Sequence, residues 1–354
     1  MLLIFFLAAI ACQKEDISNQ NGQTITEEFV SAVDISSYPE IADSKPTYYN
    51  LQGVEQDFLT ILKENGVNTI RLRLWVNPEN DYAGFSEVKA FSERLKIIGF
   101  KTWITLHYSD TWADPGTQQT PTQWQGLDME TLLDSVYHYT ARVVQEIKPN
   151  YLQIGNEINS GILHPQGNIS TNYADFIRLI QVGCSAVRKN SQACKIILHY
   201  AGHENGPVFF DSLSQLDYDI IGLSYYPIWH GKSLDALKNT LRELGRSHNK
   251  QTIIAETAYP FTLEWNDWTN NIVGLDEQLI LPEYPASVDG QRAFVKAIKE
   301  IVRELESGIG FCYWGAELTA WKGEEATDAS PWENQALFDF TNQALPALLE
   351  FKVD

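Results

Sequence analysis

The sequence predicts one α/β domain, a single (β/α)8 TIM barrel, and three observations lead there. From about residue 30 onward, short apolar runs alternate with amphipathic stretches of helical period, the pattern of repeated βαβ units. Eight such units follow one another, which suits one closed barrel better than two doubly wound domains. The folded part spans about 320 residues, a common length for that barrel. Hydrophobic residues make up 44% of the 354-residue chain, enough for a large core.

The eight apolar runs are 30–36, 69–76, 102–108, 151–156, 195–200, 220–226, 252–257 and 310–314. The clearest helical patterns are 131–147, 173–189, 234–246 and 291–305, and an eighth helix over about 342–351 closes the chain. Segments 109–127, 260–288 and 315–335 are long loops after the third, seventh and eighth strands. Long ordered loops are usually functional, and active sites of such barrels are built at the C-terminal ends of the strands. The polar and aromatic residues collect at those ends.

The N-terminus reads as an address. Residues 1–11, MLLIFFLAAIA, are too short an apolar run to span a bilayer and fit the apolar part of a secretion signal. Ala9-Ile10-Ala11-Cys12 resembles a bacterial lipoprotein box, which makes 1–11 a signal peptide, Cys12 a lipidated residue, 12–28 a flexible tether and 29–354 the barrel. No Lys or Arg precedes the apolar run, a departure that a mis-assigned start codon would explain. Gln13-Lys14-Glu15-Asp16 resembles the surface-export signal of Bacteroides-group lipoproteins, so the chain is expected at the outer membrane, facing outward. Three cysteines remain. Cys184 and Cys194 have a spacing that permits pairing, and Cys312 lies in an apolar strand as a small buried hydrophobe.

A formal charge of -20 with no cluster of Lys or Arg excludes a nucleic-acid partner. A monomer is expected. Ten Trp and sixteen Tyr supply flat faces of the kind that pack on sugar rings, though core packing uses them equally.

Two carboxylates stand out. The fourth strand ends Gly155-Asn156-Glu157 and the seventh ends Ala255-Glu256-Thr257, so each places a Glu at the C-terminal rim. A lone strand-end Glu is more often an ion-pair partner or a helix cap. Two of them in one barrel, with Asn156 ahead of the first, match the two carboxyls that flank a scissile glycosidic bond, about 5–5.5 Å apart when configuration is retained. Their mutual repulsion in one cleft helps keep one of them protonated. Metal-dependent hydrolysis on a barrel of the amidohydrolase kind is excluded, since the first strand ends Asp34-Ile35-Ser36 and carries no His-x-His.

Asn156-Glu157 and Glu256 resemble the retaining barrel glycosidases, in which the strand-4 Glu is acid/base, the strand-7 Glu is nucleophile and the Asn bonds the sugar 2-hydroxyl. Within them the chain resembles glycoside hydrolase family 53, the arabinogalactan endo-β-1,4-galactanases, from Asp34 almost to its end. The signatures are Val33-Asp34-Ile35-Ser36-Ser37, Arg71-Leu72-Arg73-Leu74-Trp75-Val76-Asn77-Pro78, the His107–Trp124 block, Ser224-Tyr225-Tyr226-Pro227, Ala255–Pro260 and Trp332–Asp339. The resemblance implies hydrolysis of β-1,4-galactan with retention, and no required cofactor. Hydrolysis of mannan or xylan, or surface glycan binding without catalysis, are the alternatives. Some family members hold structural calcium in the loop after the seventh strand. Here Trp265 and Thr269 stand where ligands would be, which argues against the ion.

Further site residues follow from position. Asp34 belongs to the substrate side. Arg73 shares parity with Arg71, lies nearer the rim, and is expected to orient Glu256. His107 and His199 are expected to bond sugar hydroxyls or the acid/base. Tyr226, or Tyr225 if the facing is reversed, is expected to bond the nucleophile. Trp314 resembles the floor under the cleaved sugar, and Trp112 is a stacking surface for its neighbour.

Overall fold

The structure, a computed structural model, describes residues 28–353. The leader, Cys12 and all of the tether except Glu28 lie outside the described residues. The eight expected strands are present as β1 (Val30–Asp34), β2 (Thr69–Leu74), β3 (Lys101–Leu106), β4 (Tyr151–Ile154), β5 (Lys195–Ala201), β6 (Ile220–Ser224), β7 (Gln251–Thr257) and β8 (Gly308–Trp314). Each is parallel to its sequence neighbours, and β8 returns to β1 with Trp314 opposite Asp34, so the sheet closes into a barrel without edges.

Several strands leave the ladder one or two residues before the apolar runs end. Ile35, Trp75, His107, Asn156 and Tyr226 therefore sit on turning backbone at the rim rather than in the sheet. The main helices are Phe85–Ile98, Met129–Glu146, Ile169–Asn190, Leu234–His248 and Val288–Arg303. Side chains cap their starts. Asp128 accepts from Thr131 N, Asn168 from Ser170 N, Ser233 from Ala236 N and Ser287 from Gly290 N, each satisfying a backbone donor that the helix itself leaves unpaired. The closing helix is shorter than its pattern suggests. Only the 3-10 turn Pro346–Phe351 forms, because Pro346 stops the backbone of residues 342–345 from joining it.

Outward-facing strand residues and the helices' apolar faces make the larger core. A smaller cluster of Val30, Ala32, Trp103, Ile197, Ile253 and Cys312 fills the barrel's lower interior. Arg71 caps this layer, its guanidinium 5.4 Å from the Trp103 ring centroid. Cys184 and Cys194 are not paired. Both are free buried thiols, and apolar burial pushes each up to about 12, the state of inert structural cysteines. Cys312 is buried as expected.

Candidate active site

Two backbone irregularities aim the carboxylates. Ile253 and Ala255 both belong to the inner cluster, so simple alternation would send Glu256 outward. The ladder slips here instead: Leu223 pairs with Ile254 but Ser224 pairs with Glu256, and Phe311 pairs with Ile254 but Tyr313 with Thr257. That bulge turns Glu256 into the barrel mouth. After β4, Gly155 (φ +77°) and Glu157 (φ +45°) are both left-handed. A Cβ on Gly155 would lie 2.4 Å from Ile158 Cγ2, so the turn that presents Glu157 needs a glycine.

Glu157, Glu256, Arg71, Tyr226, Trp112 and Trp314 share one cleft of about 700 Å³ at the C-terminal face. Their surroundings differ. Glu256 Oε1 meets Arg71 Nη2 at 2.7 Å, and Oε2 accepts from the Tyr226 hydroxyl at 3.0 Å. Burial raises the Glu256 carboxyl, while Arg71 and Tyr226 pull it back toward ionisation. Burial also raises Tyr226 far above the ordinary phenol range, so its proton stays in place to donate. Among the described residues, no Lys or Arg forms an ion pair with Glu157. Burial first, and the charge on Glu256 second, push Glu157 up to about 8. Of the two carboxyls, Glu157 therefore keeps the proton at neutral pH.

A relay holds Glu157. Its Oε1 accepts from Ser224 Oγ at 2.6 Å, and Ser224 Oγ lies 2.8 Å from His199 Nε2. His199 Nδ1 accepts from Gln153 Nε2 (3.0 Å) and from the Glu157 backbone N–H (3.3 Å). Nδ1 also lies 3.2 Å from Asn156 Oδ1, but with two donors directed at it the imidazole proton is assigned to Nε2, where it donates to Ser224, which in turn donates to Glu157. Burial holds His199 neutral, far below its ordinary value. His107 is likewise neutral, and its Nδ1 accepts from Ala113 N at 3.1 Å, tying the loop after β3 to the rim.

Asn156 Oδ1 accepts from Arg71 Nη2 at 2.9 Å and its amide donates to Ala113 O at 2.8 Å, leaving one N–H for the cleft. Asp34 lines the cleft but spends its carboxylate on Arg71 Nη1 (2.7 Å) and on Ser36. Trp112, 43% exposed, adjoins Trp314 (centroids 6.1 Å), which adjoins Trp332 (4.6 Å). Trp229 continues the wall at 5.9 Å from Trp332.

With this arrangement in view, the comparisons bear directly. The profile of Glycosyl hydrolase family 53 matches residues 30–351. The chain belongs to that family. An arabinogalactan endo-β-1,4-galactanase of Cellvibrio japonicus is 34% identical across 98% of this chain and 96% of its own, and an endo-β-1,4-galactanase of Bacillus subtilis is 30% identical across 96% and 89%. The family 53 catalytic domain of Ignisphaera aggregans superposes with a TM-score of 0.86 at 36% identity, covering 92% of this chain and 96% of that one. The family 53 chain is thus a glycoside hydrolase on a (β/α)8 barrel, and such chemistry needs no organic cofactor.

One expectation is corrected. Arg71, not Arg73, engages Glu256. Arg73 stands two residues nearer the rim, where its guanidinium lies 4.8 Å from the Trp75 ring centroid and 4.4 Å from that of Trp112. Tyr226 is the tyrosine on the carboxylate, and the Tyr225 hydroxyl donates to Gly231 O instead. Two residues escaped the sequence reading. Ser224 shares parity with Tyr226 at a strand end, which was the available signal. Glu317 left none, yet it is buried, pushed up to about 8 by burial and by Asp34, and accepts from Ser37 N at 2.8 Å.

The stretch that would hold calcium is stitched by protein bonds. Asp267 Oδ1 accepts from Thr269 N, Glu333 Oε1 accepts from Asn266 N, and Thr269 Oγ1 accepts from Ala329 N and donates to Ala326 O. Trp265 and Trp268 are exposed. Among the described residues no three His, Cys, Asp or Glu gather as a metal site. In the same stretch Asp267 Oδ2, Asn271 Oδ1 and Glu333 Oε2 are buried without hydrogen-bond partners, so these bonds leave oxygens unsatisfied there.

Proposed function

We propose that this protein is a retaining endo-β-1,4-galactanase acting on β-1,4-galactan and type I arabinogalactan, with Glu256 as nucleophile and Glu157 as acid/base. The observation that carries the roles is the unequal treatment of two carboxyls in one cleft. Arg71 and Tyr226 favour the anion at Glu256, whereas Glu157 has no cation of its own and stays protonated. Glu256 attacks C1 of the sugar as Glu157 gives its proton to the departing glycosidic oxygen, forming a glycosyl–enzyme ester. Glu157, now ionised, takes a proton from water. That water attacks C1, Glu256 leaves, and the product keeps its configuration. The remaining N–H of Asn156 bonds the sugar 2-hydroxyl. Trp314 supports the cleaved ring and Trp112 its neighbour. The family names of the relatives support galactan as substrate.

Digestion of galactan, mannan and xylan by the purified chain, with products sized over time, tests this. Mixed galacto-oligosaccharides released early from galactan alone are expected, with the β-anomer first by NMR. Cleavage of mannan or xylan instead would overturn the substrate. A Glu157→Ala variant that kept full hydrolysis of galactan would overturn the roles.

We also propose that the chain is exported, cut before Cys12, lipid-anchored there and displayed outward on the outer membrane as a monomer. The lipoprotein-like box and the acidic residues after it support this. Loss of membrane association in a Cys12→Ala variant is expected, and unchanged association would overturn the anchor.

A further inference from the structure

Arg73 has no part in the chemistry above, yet it is buried in the wall of the cleft. A guanidinium carries five N–H donors. Here one protein acceptor serves it: Ser37 Oγ, 3.3 Å from both Nη1 and Nη2. Among the described residues no carboxylate lies within ion-pair distance of Arg73, although Asp34 and Glu317 stand near enough to favour its charge. Its guanidinium lies against Trp75 and Trp112, whose rings stand at 81° to each other, and its Nε is buried without a partner. Such a group is held rigidly and has donors to spare.

Its place says what those donors meet. Glu157, the acid, must stand on the leaving-group side, and it rises from β4. The Arg73 guanidinium reaches Ser37 beyond β1, and its neighbouring ring Trp112 adjoins Trp314 on β8, the strand diametrically opposite β4 in the barrel order. This is the side from which the non-reducing part of the chain arrives. The exposed Trp112 offers a face for stacking there. Asp34, Glu317, Glu40 and Glu87 stand around Arg73, so a neutral ligand suits the site better than a carboxylate.

We propose that Arg73 is the specificity-determining donor for the neutral galactosyl residue on the non-reducing side of the sugar being cleaved, bonding its hydroxyls while Trp112 stacks on its ring. The proposal rests on the galactanase reading. In β-1,4-galactan the linkage oxygen at C4 is axial, so the next ring is set at an angle to the one before. In β-1,4-mannan and xylan it is equatorial and the chain runs on straight. A fork held against two tryptophans meets hydroxyls only where a ring comes in along the axial route, and so favours galactan.

The test compares dinitrophenyl β-galactoside, which lacks the second ring, with dinitrophenyl β-1,4-galactobioside, which has it. For Arg73→Met, which keeps packing against both rings, the ratio of kcat/KM for the bioside to that for the galactoside is expected to fall about tenfold to a hundredfold, chiefly through the bioside KM. Arg73→Lys is expected to restore part of the ratio and serves if the Met variant folds poorly. The pH profile should not move. An unchanged ratio, whether both rates fall together or neither does, overturns the proposal. Wild-type protein that cleaves mannan or xylan but neither galactoside overturns the galactanase reading as well, whereas an active wild type with an unchanged ratio overturns only this one.

Discussion

Arg71 Nη2 lies 2.7 Å from Glu256 Oε1, and the same buried guanidinium holds Asp34 at 2.7 Å through Nη1. One cation thus neutralises a reacting carboxylate and a structural one. Burial works against the charge on Arg71, but Glu256 and Asp34 raise it well above its ordinary value, so it is permanently charged. Replacing it with Met would strand two buried carboxyls. We expect Arg71→Met to reduce kcat/KM by at least a thousandfold and to destabilise the fold by about 3–5 kcal/mol, the usual result of breaking a buried pair from one side. Denaturant unfolding and aryl-glycoside kinetics check both. Near-normal activity would mean that Glu256 needs no counter-charge.

The two carboxyls predict the pH profile. Activity requires Glu157 protonated and Glu256 ionised. Glu157 is held up to about 8, so kcat/KM should fall as pH rises through that region. Glu256 is raised above the ordinary carboxylate value by burial, so activity should also fall as pH drops, from somewhat above that value. Ser224 donates to Glu157 and lowers it. Ser224→Ala should therefore move the basic limb upward, while costing less than about tenfold at pH 6. A basic limb that moves down would show that the relay favours the protonated acid.

The same group couples to stability. Its folded value lies above its unfolded one, so its contribution is fully present below the ordinary glutamate value and is lost as pH rises from there through about 8. Glu157→Gln, which resembles the protonated form, should accordingly melt a few degrees higher than wild type at pH 9 and much closer to it at pH 4. Differential scanning calorimetry at both values checks this. An equal difference at the two would trace the gain to packing rather than protonation.

The eight strands and their order were legible because short apolar runs alternate with stretches of period 3.6, and Glu157 and Glu256 because each ends an apolar run. Parity also put Arg71 and Arg73 on one face. It did not say which would reach Glu256, since that depends on Trp75 and Trp112 packing against Arg73, a contact between β2 and a distant loop. Alternation counted from Ala255 would even have turned Glu256 away, and only the slipped ladder between β7 and its neighbours turns it inward. Glu317 was invisible for a related reason: it lies in an irregular loop where no period applies, and its importance comes from Ser37, 280 residues away in sequence. Cys184 and Cys194 carried a spacing that permits a disulfide, but spacing is silent on side-chain geometry, and both end as free buried thiols in the larger core.

The turn after β4 offers a last test of how backbone serves chemistry. Gly155 holds φ +77° and Glu157 φ +45°, so two left-handed residues within three positions present the acid. An alanine at 155 would meet Ile158 Cγ2 at 2.4 Å and Ile162 Cγ2 at 3.1 Å, as well as strain at a positive φ. The chain can relieve this only by moving the segment that carries Glu157 and its bond to Ser224. We expect Gly155→Ala to cost about 2–4 kcal/mol of stability, combining overpacking with the backbone penalty. We also expect it to lower kcat at least tenfold, because displacements of about 1 Å in a catalytic group have such effects. Pairing it with Ile158→Leu, which is unbranched at Cβ and so lacks the clashing Cγ2 methyl, should recover part of the stability. If the double variant recovers stability but not kcat, the φ of Gly155 itself sets the position of the acid. If both recover together, the Ile158 contact alone was responsible.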